Sequence, residues 1–280
     1  MSTLVKRTLS GLVFIALMVP GMLFHPLAYA VLMLVCVSLM TLEFYRMSLD
    51  SWNKPGQVFG FLSAVLLYLT TYVIARYGLW EARYLLLIMP LPVTAAWITV
   101  LYNKSEDVLK FAAYLFLPIL YIAVPFSIFN FLSFPSTGTF QGFRLLSLFV
   151  ILWASDIGGY LIGMGFGQKS GHKLFPRISP KKSWEGFAGS IVFAQVAAAV
   201  LNVWNPLSLP WAHYAVLALI ISVFGVLGDL IESVMKRSFG VKDTGTIMPG
   251  HGGLLDRFDA ALIALPIAVI YILFVNLIVS

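Results

Sequence analysis

The chain has 280 residues, of which 60% are hydrophobic and 11% charged, with a mean hydropathy of +0.92. Soluble domains carry about 25% charged residues, so a water-solvated globule is excluded and the lipid bilayer is the expected solvent. The net charge of +6 reports membrane topology first, so no nucleic acid is expected as a partner. The single cysteine, Cys36, excludes an internal disulfide and a Cys-rich metal site.

In chain order, nine apolar stretches have bilayer-spanning length, near 8–24, 27–47, 57–77, 82–101, 110–133, 145–164, 185–204, 212–234 and 258–279. They lack the two-residue alternation of barrel strands, so the fold class is an all-α polytopic membrane protein. The first stretch, with Lys6 and Arg7 ahead of it and Ala28-Tyr29-Ala30 after it, has the outline of a signal peptide. The chain stays apolar through 31–40 after a short His25-Pro26 break, which favours a helical hairpin. An N-terminal transmembrane scaffold of about five spans is expected over 1–140, with a role in homodimer formation. A catalytic region is expected over 141–280, with cytoplasmic loops at 165–185 and 235–257.

Basic residues set the orientation. One side of a nine-span chain holds 15 of the Lys and Arg residues and the other holds 3, namely Arg76, Arg83 and Arg144. By the positive-inside rule the N-terminus and the two large basic loops are cytoplasmic. A missed or invented span would invert every later loop, so the asymmetry also supports the count.

Asp156 in "LWASDIGGY" and Asp229 in "VFGVLGDLIESV" both fall within apolar spans. A carboxylate there costs several kcal/mol by insertion scales, which makes each a functional candidate or a helix-docking partner for a basic residue. Asp229 and Glu232 share a helical face that Ser233, Lys236 and Arg237 continue. Glu232 with Lys236 reads as an i,i+4 ion pair. Before the last span, "PGHGGLLDRFDA" places Pro249, Gly250, His251, Gly252 and Gly253 ahead of Asp256, Arg257 and Asp259. Glycine amides opening onto a helix N-terminus are expected to cradle phosphate. Carboxylates without thiols select Mg²⁺. Together these residues describe a cytoplasm-facing, membrane-embedded site for a phosphate-rich substrate and a hard divalent cation, the setting of phosphoryl or nucleotidyl transfer.

The run Ser233-x-x-Lys236-Arg237-x4-Lys242-Asp243-x-Gly245-x3-Pro249-x-His251-Gly252-Gly253-x-x-Asp256-Arg257-x-Asp259 resembles the C-terminal signature of bacterial phosphatidate cytidylyltransferases. Ser179-Pro180-Lys181-Lys182-Ser183-x-Glu185-Gly186 is similar to a second stretch of that family, and Met248 stands where Ile, Leu or Phe is usual. The resemblance implies transfer of the cytidylyl group of CTP to phosphatidic acid at the inner membrane, with CDP-diacylglycerol and pyrophosphate as products. It implies Mg²⁺, assisted by a monovalent cation such as K⁺, and Asp229 and Asp256 are the expected metal carboxylates. Lys236, Arg237, Lys242 and Arg257 are expected to neutralise phosphates, with Ser179, Lys181 and Lys182 on an opposite wall. His251 is expected to donate to departing pyrophosphate, act as a base, or order its loop. Asp243 and Asp259 are expected to orient neighbours, and Asp156 is a third acid or a helix-docking partner. A CTP-dependent lipid kinase or a transporter of phosphate compounds are the rival readings; inverted symmetry between halves, expected of a transporter, is not visible in the sequence.

Overall fold

The structure is a computed structural model and describes residues 3–49, 53–102, 107–168, 172–250 and 252–279. Among the described residues, eight helices are long and apolar enough to cross a membrane: Pro26–Ser48, Lys54–Tyr77, Arg83–Leu101, Val108–Ser133, Gly142–Gly167, Trp184–Trp204, Trp211–Ser238 and Leu255–Ile278. A shorter apolar helix, Thr8–Leu23, occupies the first expected stretch. The apolar runs of the sequence and the helices therefore coincide to within a few residues. Large apolar side chains such as Leu12, Leu87, Leu101 and Leu109 stand exposed on them, as a lipid-facing surface requires.

The chain divides into two compact units, residues 1–142 with 243–257, and residues 143–242 with 258–280. In the first unit, α1 (Thr3–Leu23) and α2 (Pro26–Ser48) form the hairpin expected at the His25-Pro26 break. His25 caps α2 by accepting the Leu27 amide on Nδ1 at 3.1 Å, and Pro26 fits the first helical position, where no amide is needed. Asn53 caps α3 (Lys54–Tyr77) in the same way, its Oδ1 accepting from Gly56 N at 3.1 Å.

The span 83–101 is broken at Pro90 into α4 (Arg83–Ile88) and α5 (Pro90–Leu101). The next consists of α6 (Val108–Pro118), a π-helical turn over Ile119–Ala123, and α7 (Val124–Ser133). Pro125 cannot donate to a carbonyl one turn earlier, and the wider turn before it absorbs that lost bond. Buried polar atoms pair across the helices: Tyr29 Oη donates to Asn130 Oδ1 at 3.1 Å, Asn130 Nδ2 to Thr71 Oγ1 at 3.1 Å, and Tyr45 Oη to Leu115 O at 2.8 Å. In lipid such bonds fix which helices pair, because apolar contact alone does not discriminate protein from lipid tails.

The second unit starts with α8 (Gly142–Ile162), which ends in a π-helical turn over Gly163–Gly167. A short antiparallel hairpin follows, β1 (Lys173–Phe175) and β2 (Ser179–Ser183), and leads into α9 (Trp184–Trp204). Ser183 caps α9 through the Gly186 amide at 3.2 Å. α8 and α9 approach closely, since a Cβ on Gly189 would stand 2.7 Å from the carbonyl oxygen of Gly158. α10 (Trp211–Ser238) packs against α9 and against α12 (Ala261–Val279). The short α11 (Leu255–Phe258) carries the chain from the first unit into the second.

Candidate functional site

The acid-and-base groups of the second unit gather on α10. Its 28 residues make a helix of about 42 Å, about 12 Å more than the hydrocarbon thickness. With Trp211 at one edge, Asp229 falls near the other edge and Lys236 and Arg237 stand beyond it. Asp229 is half-buried, and its Oδ2 lies 2.7 Å from Lys182 Nζ, delivered from β2. The same ammonium donates to the carbonyl of Val226 at 3.1 Å, so Lys182 ties the hairpin to α10. Ser233 Oγ donates to Asp229 Oδ1 at 3.3 Å. Glu232 is fully buried and pairs with Lys236 at 3.4 Å, the ion pair its spacing implies.

Asp259, also half-buried, interacts with the carboxylates of Asp229 and Glu232 and with Lys236. Three acids are thus held together by two lysines at the edge of the apolar slab. The backbone of Gly228 makes that proximity possible: a Cβ on it would stand 2.7 Å from the carbonyl oxygen of Asp259.

The other basic groups of this unit are less engaged with the cluster. Arg237 is exposed and donates to the carbonyl of Val241 at 3.2 Å, and Lys242 is exposed on the turn that follows. Lys181 is exposed on β2, where its carbonyl accepts from Gln168 Nε2 at 3.0 Å. Ser179 opens β2 half-buried. Asp156 stands exposed on α8.

The first unit holds the glycine segment. Asp256 closes it through one oxygen: Oδ2 accepts from Thr244 N at 2.8 Å, Thr244 Oγ1 at 2.9 Å and Gly253 N at 2.8 Å. Met248 N donates to Gly252 O at 3.0 Å across the turn. Gly252 sits at φ +85, a conformation for glycine, and a Cβ there would stand 2.6 Å from Asp256 Oδ2. Asp243 and Arg257 are exposed at the two ends of the segment. His251 lies outside the described residues.

One residue of this segment's environment was not anticipated. Glu43, on α2 and 1% exposed, accepts the Leu254 amide on Oε1 at 2.9 Å and the Leu255 amide on Oε2 at 2.8 Å. Of the glycine amides expected from sequence to cradle phosphate, that of Gly253 is taken by Asp256, and the next two amides, of Leu254 and Leu255, are taken by Glu43. Thr244, whose hydroxyl and amide both serve Asp256, was likewise missed. The available signal for Glu43 was an acid inside the apolar run "LMTLEFYRM", the same signal that marked Asp156 and Asp229.

A family model described as the cytidylyltransferase family matches residues 5–275. A phosphatidate cytidylyltransferase of Bacillus subtilis (strain 168) is 48% identical over 117 residues, 42% of this chain and 42% of that protein. One of Staphylococcus saprophyticus is 42% identical over 123 residues, 44% of this chain and 46% of that protein. One of Staphylococcus haemolyticus is 34% identical over 208 residues, 68% of this chain and 76% of that protein. The chain thus spans less than half the length of the first two relatives and about three quarters of the third.

Proposed function

Because this chain belongs to the cytidylyltransferase family, we propose that it transfers the cytidylyl group of CTP to phosphatidic acid at the cytoplasmic face of a bacterial inner membrane. A phosphate oxygen of the lipid attacks the α-phosphorus of CTP, the bond from that phosphorus to the β-phosphate oxygen breaks, and CDP-diacylglycerol and pyrophosphate result. The observation that carries this reading is the Asp229–Lys182 pair at the end of an apolar span, 2.7 Å long and only partly buried. It puts opposite charges where a lipid phosphate and a water-soluble nucleotide triphosphate can meet. The names of the relatives support the choice of CTP and phosphatidic acid.

Within this reading Lys182 and Lys236 neutralise phosphate charge, and Arg237, Lys242 and Arg257 receive the triphosphate from water. In phosphoryl and nucleotidyl transfer the protein mostly positions groups and offsets charge, so no nucleophilic side chain is required. Mg²⁺ belongs to the same reading, and the carboxylates of Asp229 and Asp256 fit it as hard oxygen donors. Asp229 Oδ2 already carries a cation, the Lys182 ammonium. Asp256 Oδ2 is committed to three hydrogen bonds, so its contribution to an ion is through Oδ1. Among the described residues no group of three His, Cys, Asp or Glu is placed to hold a metal ion. When bound, Mg²⁺ would supply Lewis-acid stabilisation of the negative charge that develops as pyrophosphate departs.

The test is product analysis with purified protein, CTP, Mg²⁺ and phosphatidic acid or a lipid alcohol. Pyrophosphate released only with phosphatidic acid supports the proposal. CDP released with a lipid alcohol would assign the chain to lipid kinase chemistry instead.

A further inference from the structure

Glu43 stands 211 positions before Leu254 and takes no part in the transfer as described above. An acid inside an apolar helix is costly unless its oxygens are satisfied. Here each oxygen of Glu43 accepts one amide hydrogen, from Leu254 and from Leu255. These are amides at the start of a helix, which have no acceptor of their own. The bonds run from a long membrane helix to the residues immediately preceding Asp256.

A second observation concerns the glycines around this carboxylate. A Cβ on Gly245 would stand 2.7 Å from Glu43 Oε1, and a Cβ on Gly253 would stand 2.7 Å from Oε2. Any side chain at either position would press on the acid. Two glycines of the segment are thus accounted for by room for a carboxylate of the same chain. Asp256 interacts electrostatically with Glu43 and staples the same segment through Thr244 and Gly253. The segment is held by two acids, one from α2 and one of its own.

We infer that Glu43 is a positioning residue for the transfer reaction, anchoring the Gly253–Leu254–Leu255 backbone to α2 so that the Asp256 and Arg257 side chains are presented in one fixed orientation. The inference rests on the cytidylyltransferase reading, and it gives α2 an indirect part in catalysis. A carboxamide in place of the carboxylate presents an NH₂ to one of the two amides, two donors face each other, and the start of α11 loosens. Glutamate to aspartate shortens the reach by one methylene and leaves one amide served.

The experiment uses the full chain in detergent with CTP, phosphatidic acid and Mg²⁺, comparing wild type, Glu43→Gln, Glu43→Asp and, as a control on the lipid-facing side of the same helix, Leu42→Ala. Glu43→Gln is expected to lower kcat at least about tenfold, with a smaller rise in KM for CTP because Arg257 shifts with the loosened segment. Glu43→Asp is expected to fall between it and wild type, and Leu42→Ala to match wild type. Hydrogen exchange at 254–255 is expected to be slow in wild type and at least about tenfold faster in Glu43→Gln.

A kcat for Glu43→Gln within about twofold of wild type, or a loss carried by KM alone, would overturn the inference. Unchanged exchange in that variant would do the same. If Glu43→Gln does not fold, Glu43→Asp and the wild-type exchange decide: fast wild-type exchange at 254–255 overturns the inference, and slow exchange with a lowered kcat in Glu43→Asp supports it. A wild type without turnover removes the transferase reading itself, and the exchange comparison then still decides whether Glu43 seats the segment.

Discussion

Asp256→Asn and Thr244→Val separate what Asp256 does for its loop from what it does for the reaction. Asp256 Oδ2 accepts three hydrogen bonds of 2.8, 2.9 and 2.8 Å. In the asparagine variant the amide oxygen takes the place of Oδ2 and keeps all three, but without the charge. A hydrogen bond to a charged group is worth about 1.5–3 kcal/mol and a neutral one about 0.5–1.5, so the loss is about 1 kcal/mol per bond. About 3 kcal/mol is the ceiling for three bonds on one atom, because such contributions are not additive.

Thr244→Val removes one of the three bonds outright, at about 1.5–3 kcal/mol, while leaving the carboxylate in place. The two variants therefore lose comparable stability, each lowering the thermal midpoint by several degrees at about 2–4 °C per kcal/mol. Their activities are expected to part. Asparagine puts an NH₂ where Oδ1 was, and activity falls at least about a hundredfold; valine keeps the acid and costs less than about tenfold. Thermal melting in detergent and CTP turnover, run on the same preparations, make the comparison. Equal losses of activity in the two variants would leave Asp256 as a loop staple only.

Lys182→Met removes the cation on Asp229 and the anchor to the Val226 carbonyl. Because the pair is partly exposed, stability is expected to change by no more than about 1 kcal/mol, whereas kcat/KM for CTP falls at least about tenfold, read from initial rates. Gly253→Ala presses a methyl group on the Glu43 carboxylate and on Thr244, and is expected to cost about 1–3 kcal/mol in thermal melting. Gly165→Ala, with nothing within 4 Å of the added carbon, is expected to stay within about 0.5 kcal/mol of wild type.

The membrane helices were legible in the sequence because each depends on a property of one stretch: about twenty apolar residues in a row, ended by Pro, Asn or a charged loop. The pairing of Glu232 with Lys236 was legible for the same reason, since its spacing lies within one helix. The hairpin over Lys173–Ser183 was not: its strands are only three and five residues long, too short to show an alternating apolar face. Lys182 reaching Asp229 crosses 47 positions, and Glu43 reaching Leu254 crosses 211. Neither follows from spacing.

The glycine segment shows why composition misleads at such places. Glycines before a helix offer free amides, and sequence assigns those amides to a substrate anion. A buried carboxylate elsewhere in the chain needs the same donors, and in lipid its need is greater because water cannot supply them. Glu43 and Asp256 therefore take the amides of Gly253, Leu254 and Leu255.

The central claim is transfer of a cytidylyl group, and the fate of the CTP phosphorus atoms tests it most directly. Purified protein is given phosphatidic acid, Mg²⁺ and CTP labelled at either the α- or the γ-phosphorus, and lipid and aqueous phases are separated. α-Label is expected in the lipid phase as CDP-diacylglycerol and γ-label in the aqueous phase as pyrophosphate, with both lost in Asp229→Asn. γ-Label in the lipid phase would contradict it, because the chain would then transfer the terminal phosphoryl group.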